Sequence, residues 1–189
     1  MNILFPKYLT FGADIESIEF KDHFVTKKFK NLSSYSKTIN FYKYVKHEDQ
    51  PLFPKLFSSN IKILTIVTEN CGNLLNTYNL PDNWEVQINN FRNFFLKNKF
   101  LILDMRFMPH TPYVINNMCI RDNKIYLVDL ALYENSNEYT INKYFDNFIY
   151  NIKLRLKYRN NTFTLFTVHI YLEIKRLLTD LYIKIINCI

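Results

Sequence analysis

An amide and a carboxylate stand at the two ends of a short predicted hairpin. Residues 118–120 (MCI) and 125–128 (IYLV) are apolar and β-prone, and the polar residues 121–124 (RDNK) between them favour a turn. Asn117 precedes the first strand and Asp129 follows the second, so a hairpin brings both to the same end. Mg²⁺ prefers oxygen ligands of these types, with water and nucleotide phosphates completing its coordination. The spacing therefore predicts a magnesium site formed by Asn117 and Asp129.

A second acidic residue lies upstream, where it could accept a proton. Asp104 follows the apolar run 101–103 (LIL). The order Asp, Asn, hairpin and Asp resembles the metal-binding half of the protein-kinase-like family, whose first Asp takes the proton of the acceptor hydroxyl. This resemblance implies that Asp104 is the catalytic base. It also matches Asp129 to the Asp of the D-F-G motif, with Leu130 and Ala131 in place of Phe and Gly.

The spacing between Asp104 and Asn117 departs from the family pattern. Thirteen positions separate them, where the motif has about five, so Asp104 can be the base only if residues 108–112 (MPHTP) belong to a loop insertion. In an alignment without the insertion, His110 matches the motif histidine and Pro112 falls on the position of the Asp. That alternative leaves no base and implies an inactive protein.

A lysine near the N-terminus matches the phosphate-binding part of the same family. The stretch FVTK that ends at Lys27 resembles the strand whose Lys holds the α and β phosphates, which gives Lys27 a catalytic and a nucleotide-binding role. Apolar spacing next predicts a helix over 32–46, capped by Ser33 or Ser34. In the family a Glu on this helix pairs with the Lys. Thr38 stands near its place here, so that ion pair is absent.

An eight-residue apolar run, 61–68 (IKILTIVT), predicts a buried strand that ends before a glycine turn at Gly72. In kinases the segment after such a strand links the two lobes and offers backbone groups to adenine. The resemblance therefore places Thr68 at the back of the nucleotide pocket and Glu69 and Cys71 along the adenine edge. Without the resemblance, the same residues are an ordinary strand and turn.

The composition indicates a globular protein. The chain has 189 residues, of which 48% are apolar and 17% aromatic, enough for one domain or a small two-lobed one with a sizeable core. Three cysteines without a CxxC pair argue against a disulfide framework or a zinc site and fit an intracellular, cytoplasmic location. Frequent Asn, Lys and Ile are typical of AT-rich genomes, which makes a virus-infected host cell one setting. No stretch predicts a membrane span, so we expect no membrane partner.

The charge balance favours an anionic partner. With 24 basic and 17 acidic residues the formal net charge is +7, which a nucleotide would complement. The basic residues are scattered among aromatic ones, as in 42–44 (YKY) and 157–159 (KYR), and form no block. Stacking on bases needs exposed rings, whereas these fall on predicted apolar helix faces. A nucleic-acid partner is therefore not favoured, although it stays open.

These patterns together predict an α+β protein. The resemblance implies a two-lobed protein-kinase-like fold, with an N-lobe over 1–68 that contains a small antiparallel sheet and one helix. A hinge at 69–72 leads into a reduced, mainly helical C-lobe over 69–189. Periodicity predicts further helices at 82–99, 140–159 and 163–189.

The function implied by the resemblance is phosphoryl transfer. An ATP- and Mg²⁺-dependent phosphotransferase would move the γ-phosphate to a hydroxyl acceptor, either a protein Ser or Thr or a small molecule. The alternative is an inactive pseudokinase that acts as a binding or regulatory module. The missing helix Glu and the displaced Asp104 favour the alternative, whereas the two retained metal ligands, Asn117 and Asp129, favour catalysis.

Overall fold

The computed structural model describes residues 14–45, 47–102, 105, 107–108, 111–130 and 133–187. Contacts between Cα atoms divide the chain into two compact units: unit 1 contains residues 1–71 and 126–133, and unit 2 contains residues 72–125 and 134–189. The predicted α+β class is confirmed, since a small antiparallel sheet and four helices are present among the described residues. The kinase-like arrangement of lobes at 1–68 and 69–189, with its hinge, stays a prediction.

Unit 1 contains a four-stranded antiparallel sheet and one α-helix. The strands lie in the order β1-β2-β4-β3, so β2 is a central strand. In its register Lys27 lies opposite Ile18 of β1 and Ile66 of β4. The elements are β1 (Ile15–Phe20), β2 (Phe24–Phe29), α1 (Leu32–Tyr44), a 3₁₀ helix (His47–Leu52), β3 (Leu56–Asn60) and β4 (Thr65–Glu69).

The predicted strand over 61–68 is wrong in its first half. Residues 61–64 form the turn between β3 and β4, and Ile61 and Ile63 are exposed. The side chain of Asn60 accepts a hydrogen bond from Lys62 N at 3.0 Å, and Leu64 has a φ of 51°. A turn stabilised by an Asn side chain therefore interrupts the apolar run, which periodicity alone does not indicate.

Helix α1 packs against the sheet and forms the core of unit 1. Its cap is Asn31, whose side chain accepts from Ser34 N at 2.9 Å, so the predicted caps were wrong. The rings of Tyr35 and Phe29 meet edge to face at 6.0 Å between centroids. Ile15 and Ile66 complete this buried cluster. Helix α1 thereby holds one face against β1, β2 and β4.

Unit 2 is organised around a long strand, β8 (Thr111–Arg121), which pairs with three shorter strands, β5, β7 and β9. A separate two-stranded sheet joins β6 and β10. The other elements are β5 (Asn73–Asn76), α2 (Trp84–Asn98), β6 (Phe100–Ile102), β7 (Phe107–Met108), β9 (Lys124–Leu127), β10 (Tyr133–Asn135), α3 (Glu138–Tyr158) and α4 (Thr162–Asn187), of which β9 and β10 each have residues in both units.

The predicted hairpin is confirmed. It joins β8 to β9 through a two-residue turn, in which Asp122 and Asn123 have φ angles of 50° and 59°. Positive φ at both turn residues matches the twist of the flanking strands, and Asp and Asn tolerate that conformation. Gln87 on α2 donates to Asn123 O and accepts from Ile125 N, both at 2.8 Å. One amide side chain therefore fixes the turn to the helix.

The three predicted helices of unit 2 are confirmed, and their described ends differ from the predicted ones by at most two residues. Residues 188–189 of the third predicted helix lie outside the described residues. Helix α2 buries Ile88, Phe91, Phe94 and Phe95, and Trp84 in its first turn is half-buried. Within the described ranges no helix combines the length and apolar character that crossing a membrane requires.

Gly72 meets a local packing requirement of unit 2. Its φ is +82°, and a Cβ atom there would lie 2.4 Å from Ile120 O. Any other residue would collide with the backbone of β8, so the glycine predicted at a turn is explained by close approach of two strands.

Candidate functional site

Lys27 and Asp129 line one cleft inside unit 1. Lys27 comes from β2, and Asp129 comes from the segment after β9 that returns to this unit. Helix α1 contributes Thr38 and Tyr42, which are four residues apart and so share a helix face, and β4 contributes Thr68. The apolar residues of the wall are Ile15, Phe29, Ile66, Val128 and Leu130. Three of the predicted site residues, Lys27, Thr68 and Asp129, therefore line the same cleft.

The ammonium of Lys27 is held by a backbone carbonyl. Its Nζ atom donates to Val128 O at 2.6 Å, across 101 positions of sequence, and the bond is partly buried. Because an ammonium has three N–H donors, this contact leaves two that bond no other described residue. The next residue, Lys28, instead meets Glu16 Oε1 at 2.8 Å on the exposed side. Alternation along β2 therefore selects Lys27 for the cleft.

Helix α1 supplies hydroxyl groups to the cleft and no carboxylate. Thr38 Oγ1 donates to Ser34 O at 3.0 Å, a bond within its own helix. The acceptor that positions the ammonium of Lys27 is consequently the carbonyl of Val128, in place of a helix Glu. Val128 precedes Asp129 directly, so the same contact fixes the backbone on which the carboxylate is carried.

Burial raises the pKa of the Tyr42 phenol well above its ordinary value, and the nearby Cys71 and Glu69 raise it further. The hydroxyl is therefore neutral at physiological pH and can donate a hydrogen bond. Sequence reasoning treated Tyr42 as part of an apolar helix stripe. The four-residue spacing from Thr38 is the signal that could have placed both on the cleft.

The cleft is small. Its volume is about 10 Å³ for the centre of a water molecule. That is about the space of one water. A nucleotide would need the lining side chains to move, whereas a single polar atom fits as the cleft stands.

The predicted adenine-binding residues divide between the cleft and the sheet. Thr68 is buried and lines the cleft. Glu69 and Cys71 are not among the residues that line it. Glu69 N donates to Lys55 O at 2.8 Å and its carboxylate accepts from Lys55 N at 3.2 Å. The N–H of Asn70 bonds His23 O at 3.0 Å. Two backbone N–H groups of this segment therefore already stabilise unit 1.

The two other predicted site residues are Asn117 and Asp104. Asn117 lies in β8 of unit 2 with a φ of 59°, which interrupts the regular strand at this point. Asp129 belongs to unit 1, and their joint binding of one ion stays a prediction. Asp104 lies outside the described residues. Among those that are described, no three His, Cys, Asp or Glu side chains form a metal-binding group.

The residues themselves carry the functional argument. Within unit 1 the fold brings together a strand lysine, a carboxylate and two helix hydroxyls from three separate segments, and the lysine keeps donors for an anion. An ammonium beside a carboxylate suits an anionic ligand together with a cation. This geometry is the basis for a functional assignment, since no protein-family model and no curated protein matches the chain.

Proposed function

We propose that this protein is an ATP-dependent phosphotransferase of the protein-kinase-like superfamily, which transfers the γ-phosphate to a hydroxyl acceptor. The observation that carries the proposal is the shared cleft of Lys27 and Asp129. A lysine on a central strand next to the carboxylate that follows a hairpin is the arrangement on which the resemblance depends. Lys27 belongs to the first chain segment of unit 1 (1–71) and Asp129 belongs to the second (126–133).

The roles of the residues follow from their chemistry. The two N–H donors of Lys27 that bond no described residue would bind phosphate oxygens. Asp129 and Asn117 carry oxygens of the kind that Mg²⁺ prefers and would hold the ion. Asp104 would accept the proton of the acceptor hydroxyl. Bound Mg²⁺ would neutralise charge on the phosphates, so the protein contributes positioning and electrostatics.

The second candidate function is that of a pseudokinase, a binding or regulatory module without catalysis. Two observations favour it. The ammonium of Lys27 is bound by the Val128 carbonyl and α1 brings only Thr38 and Tyr42 to the cleft. The volume of about 10 Å³ leaves room for one water only.

Thermal denaturation with and without Mg-ATP tests the nucleotide site. Saturating nucleotide should raise the Tm of the wild type by several degrees. The variants Lys27→Met and Asp129→Asn should lose most of that rise. Lys28→Met is the matched control, because Lys28 is the adjacent strand residue but pairs with Glu16 outside the cleft. No rise for the wild type, or an equal loss in the control, would contradict nucleotide binding at this cleft.

Transfer itself requires a separate assay. Incubation with γ-labelled ATP should label the protein or an added hydroxyl acceptor, and Asp104→Ala should lower the rate by at least about a hundredfold. A Tm rise without any label would favour the pseudokinase. Label that Asp104→Ala leaves unchanged would exclude Asp104 as the base.

A further inference from the structure

Helix α4 exposes a wide apolar face. Five large apolar residues, Phe163, Phe166, Ile170, Ile174 and Leu178, follow one another at spacings of three and four. At 100° per residue, these five together with Tyr171 cover an arc of about 140° around the helix. Their exposed fractions are 82% for Phe163, 52% for Phe166, 45% for Ile170, 62% for Tyr171, 52% for Ile174 and 61% for Leu178.

The opposite face of α4 is apolar as well, and it is covered. Leu165 and His169 are each 2% exposed, and Val168 and Leu172 on the same side are half-buried. A helix that is apolar all round is normally buried on all sides. One side of α4 therefore packs within unit 2, whereas the other side is exposed although it is apolar.

Helix α3 shows the ordinary alternative in the same unit. Its buried side carries Phe145 and Ile149, whereas its outward positions are mostly polar. The exposed residues of its middle and end are Lys143, Asp146, Asn147, Tyr150, Lys153 and Lys157. The apolar face of α4 is thus a property of that helix and does not extend to its neighbour.

The charge pattern decides what could cover this face. Between Phe163 and Leu178 the charged residues are Glu173, Lys175 and Arg176, all near the C-terminal end of this stretch. Helices that lie on membranes carry Lys or Arg along the face opposite their apolar one, whereas that face of α4 carries Leu165, Val168 and Leu172 and is covered, so a lipid surface fits it poorly. The row Phe166, Ile170, Ile174 and Leu178 contains no charge with which a charged peptide would pair. The fitting partner is another apolar helix.

A second copy of α4 has the required shape. Phe166, Ile170, Ile174 and Leu178 are spaced by four and form one ridge, about 18 Å long. Ridges of this kind on two identical helices interdigitate at about −50°. With antiparallel copies and a two-fold axis near residue 172, Phe166 faces Leu178 of the partner subunit and Ile170 faces Ile174 of the partner subunit. A two-fold interface must be self-complementary in this way.

The area is close to what a dimer needs. Six side chains that each lose about 100 Å² would bury roughly 600 Å² per copy. Stable interfaces bury about 800 Å² per partner, and weaker ones bury less. A patch of roughly 600 Å² is also at the upper end of what monomers expose. An interface of this size belongs to the weaker class, so we expect the association to depend on protein concentration.

We propose that the outer face of α4, from Phe163 to Leu178, is the surface through which two copies of this chain associate. The pairing is antiparallel, and the ridge from Phe166 to Leu178 forms its centre. This proposal is independent of the nucleotide cleft in unit 1.

Sedimentation velocity from about 1 µM to about 100 µM tests the proposal. The wild type should pass from monomer to dimer over this range. The double variant Ile170→Glu with Ile174→Glu should weaken association at least about a hundredfold, because it places four carboxylates in an apolar interface. Val86→Glu is the matched control, since Val86 is 62% exposed on α2, and it should dimerise like the wild type.

Each of the following results would overturn the proposal. The wild type could stay monomeric throughout, or the double variant could dimerise as well as the control. Monomeric wild type that sediments with phosphatidylcholine and phosphatidylserine vesicles would assign the face to lipid instead. If the double variant fails to fold, as judged by circular dichroism, the variant Tyr171→Cys replaces it. Its thiol lies near the two-fold axis, so a short bismaleimide should link two chains more than in the wild type, and equal linking would refute the pairing.

Discussion

Two cations, one in each unit, are removed from bulk solvent in different ways. Arg155 on α3 is 2% exposed, its guanidinium stacks 3.9 Å from the centre of the Phe107 ring, and Nη2 lies 2.9 Å from His169 Nδ1. Because a guanidinium only donates, that nitrogen of His169 must accept. Lys27 is only partly buried and its ammonium meets one carbonyl, that of Val128.

The difference separates a structural cation from a candidate functional one. Burial lowers the pKa of Arg155 to about 10, with Glu173 opposing that shift, so holding the charge costs free energy that the ring and hydrogen bonds must offset. Lys27 keeps donors for a ligand and lines a cleft with Asp129. Burial alone therefore does not identify a site. A cation that keeps N–H donors for a ligand next to a carboxylate is the better sign of a functional site.

The largest expected effect is the loss of the structural cation. Arg155→Ala should lower the free energy of unfolding by about 3 kcal/mol, because it leaves a cavity against Phe107 and removes a hydrogen-bond donor to His169. Urea denaturation measures the loss. Lys157→Ala, two residues along on the exposed side, is the control and should change stability by less than about 0.5 kcal/mol. Equal losses of stability in the two variants would show that Arg155 is not a structural cation.

A double-mutant cycle isolates the stacking contact. Arg155→Met and Phe107→Leu, separately and together, should reveal a coupling free energy of about 1 kcal/mol, since the guanidinium and the ring are in direct contact away from water. The same urea titrations supply the four values. Additive losses would show that the ring contributes packing alone.

The candidate functional cation should matter much less for folding. Lys27→Met should change the free energy of unfolding by less than about 1 kcal/mol, because one partly buried hydrogen bond is lost and the aliphatic stem is largely replaced. Urea denaturation without nucleotide is the measurement. A loss as large as that of Arg155→Ala would make Lys27 a second structural cation.

An effect of similar size, which depends on pH, concerns Tyr42 in the same cleft. Its pKa is raised by burial, so its contribution to stability is complete below the unfolded-state pKa of about 10 and declines as the pH rises above it. Tyr42→Phe removes this decline. The variant should therefore gain about 1 kcal/mol relative to wild type between pH 9 and pH 11, as measured by urea denaturation at each pH. Parallel curves would show that the phenol titrates normally.

Local structure could be predicted from the sequence wherever neighbouring residues decide it. The hairpin around Asp122 and Asn123 and the helices α3 and α4 are predictable in this way, because turn propensity and helical periodicity act over a few residues. The run 61–68 failed for the same reason. Its apolar composition fits one strand, and the turn that divides it depends on an Asn side chain and on pairing with β2.

The sequence by itself determined which residue types were available for chemistry: Lys27, Asp104, Asn117 and Asp129, and a helix α1 without a suitable Glu. Only the tertiary structure decided that the ammonium of Lys27 meets the Val128 carbonyl, that Tyr42 joins the cleft, and that the outer face of α4 is left exposed. The physical reason is the range of the interactions. Contacts across about a hundred residues depend on how sheets and helices pack, and that packing is not encoded in any short stretch of the chain.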